Sequence, residues 1–246
     1  MGEQTNTKIA LITGANKGLG YETARQLGKQ NIKVLIGARD ETRGREAAEK
    51  LRAEGCDAEF ILLDVGDEKT HEAAAKHIAE TYGKLDILVN NAGIALESMG
   101  GKSSEVSLET LRKTFDTNFF GVIAVTKTFL PLIKKSEGGR IVNVSSGLGS
   151  LAQNSDANWA YSAVKPLAYN SSKTALNAFT VILAHELKDA NIKVNSADPG
   201  YTRTDLNGNS GTKTVEQGAS VITDLATLPS DGATGGYFDD EGVVPW

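Results

Sequence analysis

Tyr169 and Lys173 stand four residues apart at the head of a run, 174–187, whose apolar positions Leu176, Phe179, Val181, Ile182, Leu183 and Leu187 suit a largely buried helix. That spacing puts a phenol and an ammonium on one helix face. A free tyrosine gives up its proton near pH ~10, and a fixed cation a few ångströms away favours the phenolate and lowers that value. A tyrosine so placed can exchange a proton with a substrate oxygen. Taken alone, the pair fits equally well two residues that fall at i and i+4 by chance, so it needs companions.

The companions depend on the elements that would carry them. Residues 8–13, Lys-Ile-Ala-Leu-Ile-Thr, form a β-rich apolar run that ends in a glycine cluster at Gly14, Gly18 and Gly20, and residues 21–30 then read as a helix. Glycines let the backbone approach a pyrophosphate, and the amides and dipole of the following helix attract its charge. The spacing, Thr13-Gly-x-x-x-Gly18-x-Gly20, departs from the G-x-G-x-x-G fingerprint, and by itself it also fits a plain strand-to-helix turn. Strands at 33–38 and 58–64 alternate with helices over 42–54 and 68–82. A strand at 85–89 runs into Asn90-Asn-Ala-Gly93, a long helix over 108–134 precedes the strand Arg140-Ile-Val-Asn-Val-Ser-Ser146, and strands follow at 193–197 and near 237–238. This alternation predicts an α/β fold: a single-domain, Rossmann-type, doubly wound parallel sheet of about seven strands flanked by helices, with ligands beyond the C-terminal strand ends.

Composition narrows the function. The 246 residues with 40% hydrophobic content suit one sizeable core, and no repeat or linker divides the chain. A net charge of −5 with no basic stripe argues against nucleic acid and anionic membranes, and no apolar run reaches transmembrane length. The first residues lack the apolar core of a signal peptide, so a cytoplasmic location is expected. The single cysteine, Cys56, cannot form an internal disulfide, and His71, His77 and His185 are too scattered for a metal site; His71 and His77 are expected at solvated positions.

Thr13-Gly-x-x-x-Gly-x-Gly20, Asn90-Asn-Ala-Gly93, Asn118, Ser145, Tyr169-x-x-x-Lys173 and Pro199-Gly200, in this order, resemble the short-chain dehydrogenase/reductase family over essentially the whole chain, and the carbonyl-reductase-like members most. The resemblance implies a catalytic set of Asn118, Ser145, Tyr169 and Lys173. It makes Ser145 the hydroxyl that hydrogen-bonds the substrate oxygen, with Ser146 a structural turn residue, and it makes Asn118 the holder of a water that links the lysine to solvent. An asparagine tied to neighbouring backbone fits Asn118 as well. The implied cofactor contacts are Gly14, Asn16, Lys17, Gly18, Leu19, Gly20, Arg39, Asp64, Val65, Asn90, Ala92, Gly93, Tyr169, Lys173, Pro199, Gly200, Thr202 and Thr204. Asp64 would meet the adenine, and Pro199 to Thr204 the nicotinamide carboxamide. For Asn90, tying adjacent strands together is the alternative role. The segment 201–218, rich in glycine, asparagine and threonine, reads as a substrate lid.

A second Tyr-x-x-x-Lys lies upstream at Tyr161 and Lys165, closer to the family's usual serine-to-tyrosine separation. Pro166 would break its helix at once, whereas Tyr169 begins an uninterrupted one, and the active tyrosine is assigned to Tyr169. Residues 151–168 then form an enlarged loop, with Tyr161 a packing or substrate-facing aromatic. Such insertions cover the assembly surface of monomeric carbonyl reductases, so a monomer is favoured and a dimer is the runner-up.

Cofactor choice is read at the end of the second strand. An acidic residue there binds the ribose hydroxyl of NAD, while an arginine accommodates the phosphate of NADP. The strand ends at Ala38-Arg39, and Lys17 offers a second cation; Asp40 opposes them but fits a helix cap. The reading is therefore NADPH over NADH, with a small-molecule ketone, aldehyde or quinone as substrate. The competing readings are an NAD-dependent alcohol dehydrogenase working mainly in the oxidative direction and a non-catalytic dinucleotide sensor.

Overall fold

Apolar β-rich runs alternate with amphipathic helices, and a computed structural model, which describes residues 7–98 and 100–246, shows how they stack. In chain order they are β1 Ile9–Thr13, α1 Gly18–Gly28, β2 Lys33–Ala38, α2 Glu41–Ala53, β3 Ala58–Leu62, α3 Glu68–Tyr82, β4 Ile87–Asn90, α4 Leu108–Phe115, α5 Gly121–Ile133, β5 Gly139–Val144, α6 Leu151–Ser155, α7 Leu167–Glu186, β6 Ile192–Ala197, α8 Val215–Ala226 and β7 Tyr237–Phe238. All seven strands pair in parallel, in the order β3-β2-β1-β4-β5-β6-β7. The winding reverses between β1 and β4, which opens a crevice at their C-terminal ends.

Side-chain alternation gives the sheet two apolar faces. Ala10 and Ile12 of β1 pack with Leu27 of α1, Leu51 of α2 and Ile222 and Leu225 of α8. Ile9 and Leu11 pack on the opposite face with Ile78 of α3, Phe129 of α5 and Leu183 of α7. The two faces clamp the strands, whose C-terminal ends are left to carry polar residues.

Four expectations need correction. Residues 201–218, expected to be one mobile segment, end in the first turn of α8, which begins at Val215; the Thr214 hydroxyl accepts from Gln217 N–H and the Gln217 side chain accepts from Thr214 N–H. The helix expected over 108–134 is interrupted at Asp116–Phe120 by a π-helical turn. Residues 151–168 are not all loop, since they contain α6 and the first residues of α7. His71 is 1% exposed, with Nε2 2.7 Å from the Asp64 carbonyl; it is an interior residue rather than a solvated one. His77, by contrast, is exposed and pairs with Glu59.

Candidate active site

Pro166 caps the start of α7 and offers no side chain to its first turn, so the Tyr169 N–H donates instead to the Glu97 carboxylate at 3.0 Å. From this fixed start Tyr169 and Lys173 face inward, 8% and 4% exposed, with the Lys173 ammonium 5.7 Å from the tyrosine ring centroid. Lys173 Nζ donates to the Val144 carbonyl at 2.7 Å. The upstream pair is dispersed: residues 161–163 form a turn, Lys165 binds the Asn154 carbonyl and side chain, and Tyr161 packs edge-on between Trp159 and Tyr201.

The two serines diverge. Ser146 is the serine whose hydroxyl acts on the Tyr169 phenol, whereas Ser145 is buried near Tyr237 and its hydroxyl makes no hydrogen bond among the described residues. Alternation along an extended chain forces this, because neighbours point to opposite faces. The serine beside the phenol is thus Ser146, where the resemblance implied Ser145; Ser146 also accepts from Leu148 N–H at 3.3 Å.

Burial governs the titrations. Desolvation pushes the Tyr169 phenol up to about 12; the Ser146 hydrogen bond works against this and the nearby Asp198 carboxyl adds to it. Desolvation also lowers the Lys173 ammonium to about 8. The phenol lies above its ordinary value, where the spacing from Lys173 alone predicts one below it, and burial is the largest cause. The phenol is thus held protonated at neutral pH, beside an ammonium that is still charged there.

Asn118, 0% exposed, lies in the π-helical turn. Its Oδ1 accepts from Ile94 N–H, and its Nδ2 donates to the Ile94 carbonyl and to Ser172 Oγ, at 2.8, 2.8 and 3.1 Å. Both amide N–H groups are thereby committed to tying the loop after β4 to α7. Asn90 is similarly engaged, with Nδ2 donating to Asn143 and Thr126, so its side chain stitches β4 to β5 and α5. A role missed in the sequence belongs to Asn91, whose Nδ2 donates to the carbonyls of Thr13 and Gly14, while the Thr13 hydroxyl accepts from the N–H groups of Asn91 and Ala92. The duplicated asparagine was the available signal.

The glycine turn fits a dinucleotide. Gly14 and Gly18 have φ of 64° and 57°, and a Cβ on Gly20 would stand 2.4 Å from Asn91 Nδ2 and 2.7 Å from the Gly14 carbonyl. No side chain caps the N-terminus of α1, which leaves its amides to an anion. Gly93 lies near Lys173 and Asn118, and the sequence around Val65 abuts Gly121, where a Cβ would come within 2.6 Å of the Val65 carbonyl. Asp64 spends its carboxylate on Gly66 N–H, and Thr202 spends its hydroxyl on the Pro199 carbonyl. Gly200 has φ of 66°, and Thr204 comes close to Gly18 across the crevice.

Beside the turn, a cavity of about 520 Å³ is lined by Asn16, Lys17, Arg43 and Lys50 among others. Arg39 is exposed at the tip of β2 and is not part of this lining; Arg43, in the first turn of α2, was not foreseen. Asp40 caps α2 by accepting from Arg43 N–H at 3.0 Å, as its position suggested.

A glycine turn opening a doubly wound sheet, with a buried tyrosine and lysine at the crevice, defines a dinucleotide-dependent oxidoreductase. A family model described as short chain dehydrogenase matches residues 8–214, and the chain belongs to that family. It is 39% identical to the short-chain dehydrogenase anuI of Penicillium roqueforti, covering 96% of this chain and 95% of that one. It is 34% identical to carbonyl reductase [NADPH] 1 of Mus musculus, over 97% and 98% of the two chains. The NADPH-bound carbonyl reductase from chicken fatty liver superposes with a TM-score of 0.85 at 26% identity, over 98% and 99%. No helix among the described residues is long and apolar enough to cross a membrane.

Proposed function

We propose that this chain is an NADPH-dependent carbonyl reductase that converts the ketone, aldehyde or quinone group of a small molecule to an alcohol, with Tyr169 as proton donor. The observation that carries this reading is the buried pair of Tyr169 and Lys173, the ammonium 5.7 Å from the tyrosine ring, with Ser146 beside the phenol. Ser146 and Tyr169 hydrogen-bond the carbonyl oxygen from two directions, and Tyr169 releases its proton to that oxygen as negative charge grows there. Reduced nicotinamide, when bound, supplies the hydride for the carbonyl carbon. Lys173 orients the cofactor ribose and stabilises the phenolate left behind. Asn118 serves as scaffold, because both N–H groups of its amide are engaged and its Oδ1 already accepts from Ile94 N–H. Gly14, Gly18, Gly20 and the first turn of α1 receive the pyrophosphate, and Asn16, Lys17 and Arg43 receive the ribose phosphate.

Reduction uses the phenol in its protonated form, and burial with Asp198 nearby holds it so at neutral pH. Support for NADPH comes from the cationic cavity and from relatives whose names carry that cofactor. Initial rates on a panel of ketones, aldehydes and quinones with NADPH and NADH test the reading. Turnover of some carbonyls, faster with NADPH, is expected; no oxidation of either cofactor across the panel would reject it.

A further inference from the structure

The phosphate cavity contains an acid that a phosphate site does not need. Asp205 opens the single turn Asp205–Asn207 directly after Thr204, and its carboxylate reaches Lys17 with Nζ to Oδ2 2.6 Å. Both side chains are more than half exposed and both line the cavity, together with Glu46. Three cations, Lys17, Arg43 and Lys50, therefore face two carboxylates. Arg43 has a further acidic neighbour, with Nε 3.5 Å from Asp40 Oδ2.

A phosphate monoester carries about −1.5 to −2 charge near neutral pH, against −1 for a carboxylate. It competes with Asp205 for the same ammonium and is repelled by the acid it displaces. We propose that Asp205 is a specificity-determining residue for the cofactor: it occupies Lys17, a ribose phosphate must displace it, and it thereby limits how much more tightly the phosphorylated dinucleotide is held than the unphosphorylated one. This rests on the reading of the cavity as the ribose-phosphate site. Asp205 is fully able to play the part at neutral pH, since the Lys17 hydrogen bond and charge hold its carboxyl below the usual range. The segment is also built to move as a unit. Asn207 binds the Thr204 N–H and the Thr202 carbonyl, so the turn keeps its own shape when the Lys17 contact opens.

Titration calorimetry tests this without turnover, using adenosine 2′,5′-bisphosphate and adenosine 5′-monophosphate on the parent, Asp205→Asn, Lys17→Ala and the double variant. Asp205→Asn is expected to bind the bisphosphate about three- to fivefold tighter at low salt, the size of an exposed charge interaction, with monophosphate binding within about twofold of the parent. The gain should vanish in the Lys17→Ala background and shrink as salt screens the cavity. An Asp205→Asn variant that binds the bisphosphate no better than the parent overturns the proposal, as does a gain of the same size with Lys17 removed. Equal binding of the two nucleotides by both the parent and Asp205→Asn would instead reject the cavity as a phosphate site, and the proposal with it.

Discussion

The two ends of the crevice are made of opposite materials. Around Tyr169 and Lys173 the ionisable groups are buried and shifted by desolvation, with the ammonium held by a backbone carbonyl. Around Lys17, Arg43 and Asp205 they are exposed and paired with one another. A buried group acts through position and its own protonation, and screening hardly reaches it. An exposed cluster acts through summed charge, which tolerates single changes and follows salt. Chemistry belongs at the first end and adjustable affinity at the second.

The contrast is sharpest if Tyr169→Phe removes the proton donor. The expected result is a loss of about 10³-fold or more in kcat with cofactor affinity nearly intact and no dependence on salt, and Tyr161→Phe should retain most activity. Substantial turnover by the Tyr169 variant would break the assignment. Next in size is Ser146→Ala, which should lose about 10²-fold in kcat, whereas Ser145→Ala should change it by less than about tenfold. The reverse ranking would return the oxyanion role to Ser145.

Lys173 makes the buried end sensitive to pH in two opposite ways. Its folded value is lowered from 10.5 to about 8, so between pH 8 and 10 the unfolded chain binds more protons and stability rises with pH. Reductase kcat/KM should fall over the same range as the ammonium is lost. Denaturant titrations and rate profiles on one set of buffers check both slopes, and Lys173→Met should flatten the first. The smallest effect is expected at the exposed end: Lys17→Ala with Arg43→Ala should raise the KM for NADPH about tenfold, leave kcat alone and lose its effect in high salt. A kcat loss as large as the KM change would mean that the two ends are not separable.

The sheet was readable because buried strands announce themselves; β2, α3 and β7 begin and end where their patterns do. The pair on α7 was readable because helical spacing is independent of what surrounds it. Other features depend on partners far away in sequence. Which of two adjacent serines faces the tyrosine depends on how β5 ends, and His71 is interior because it meets the Asp64 carbonyl. Helix α8 hid behind Gly218, although Thr214 and Gln217 formed a legible start; the glycine is there because a Cβ would press within 2.2 Å of Thr202 Oγ1. Arg39 is the cation that the strand tip offers in sequence, while the arginine lining the cavity, Arg43, comes from the helix that follows.

The π-helical turn at Asp116–Phe120 amounts to one residue more than an α-helix needs. Deleting a single codon there would let the helical path close up as ordinary α-helix and rotate whatever lies on one side of it by about 100° against the other. Either Asn118 would leave Ile94 and Ser172, or Val125, Phe129 and Leu132 would turn off the core. Substitutions at many positions along α4 and α5 can drift freely, but the length of this stretch cannot, and insertions or deletions in the gene should accumulate elsewhere.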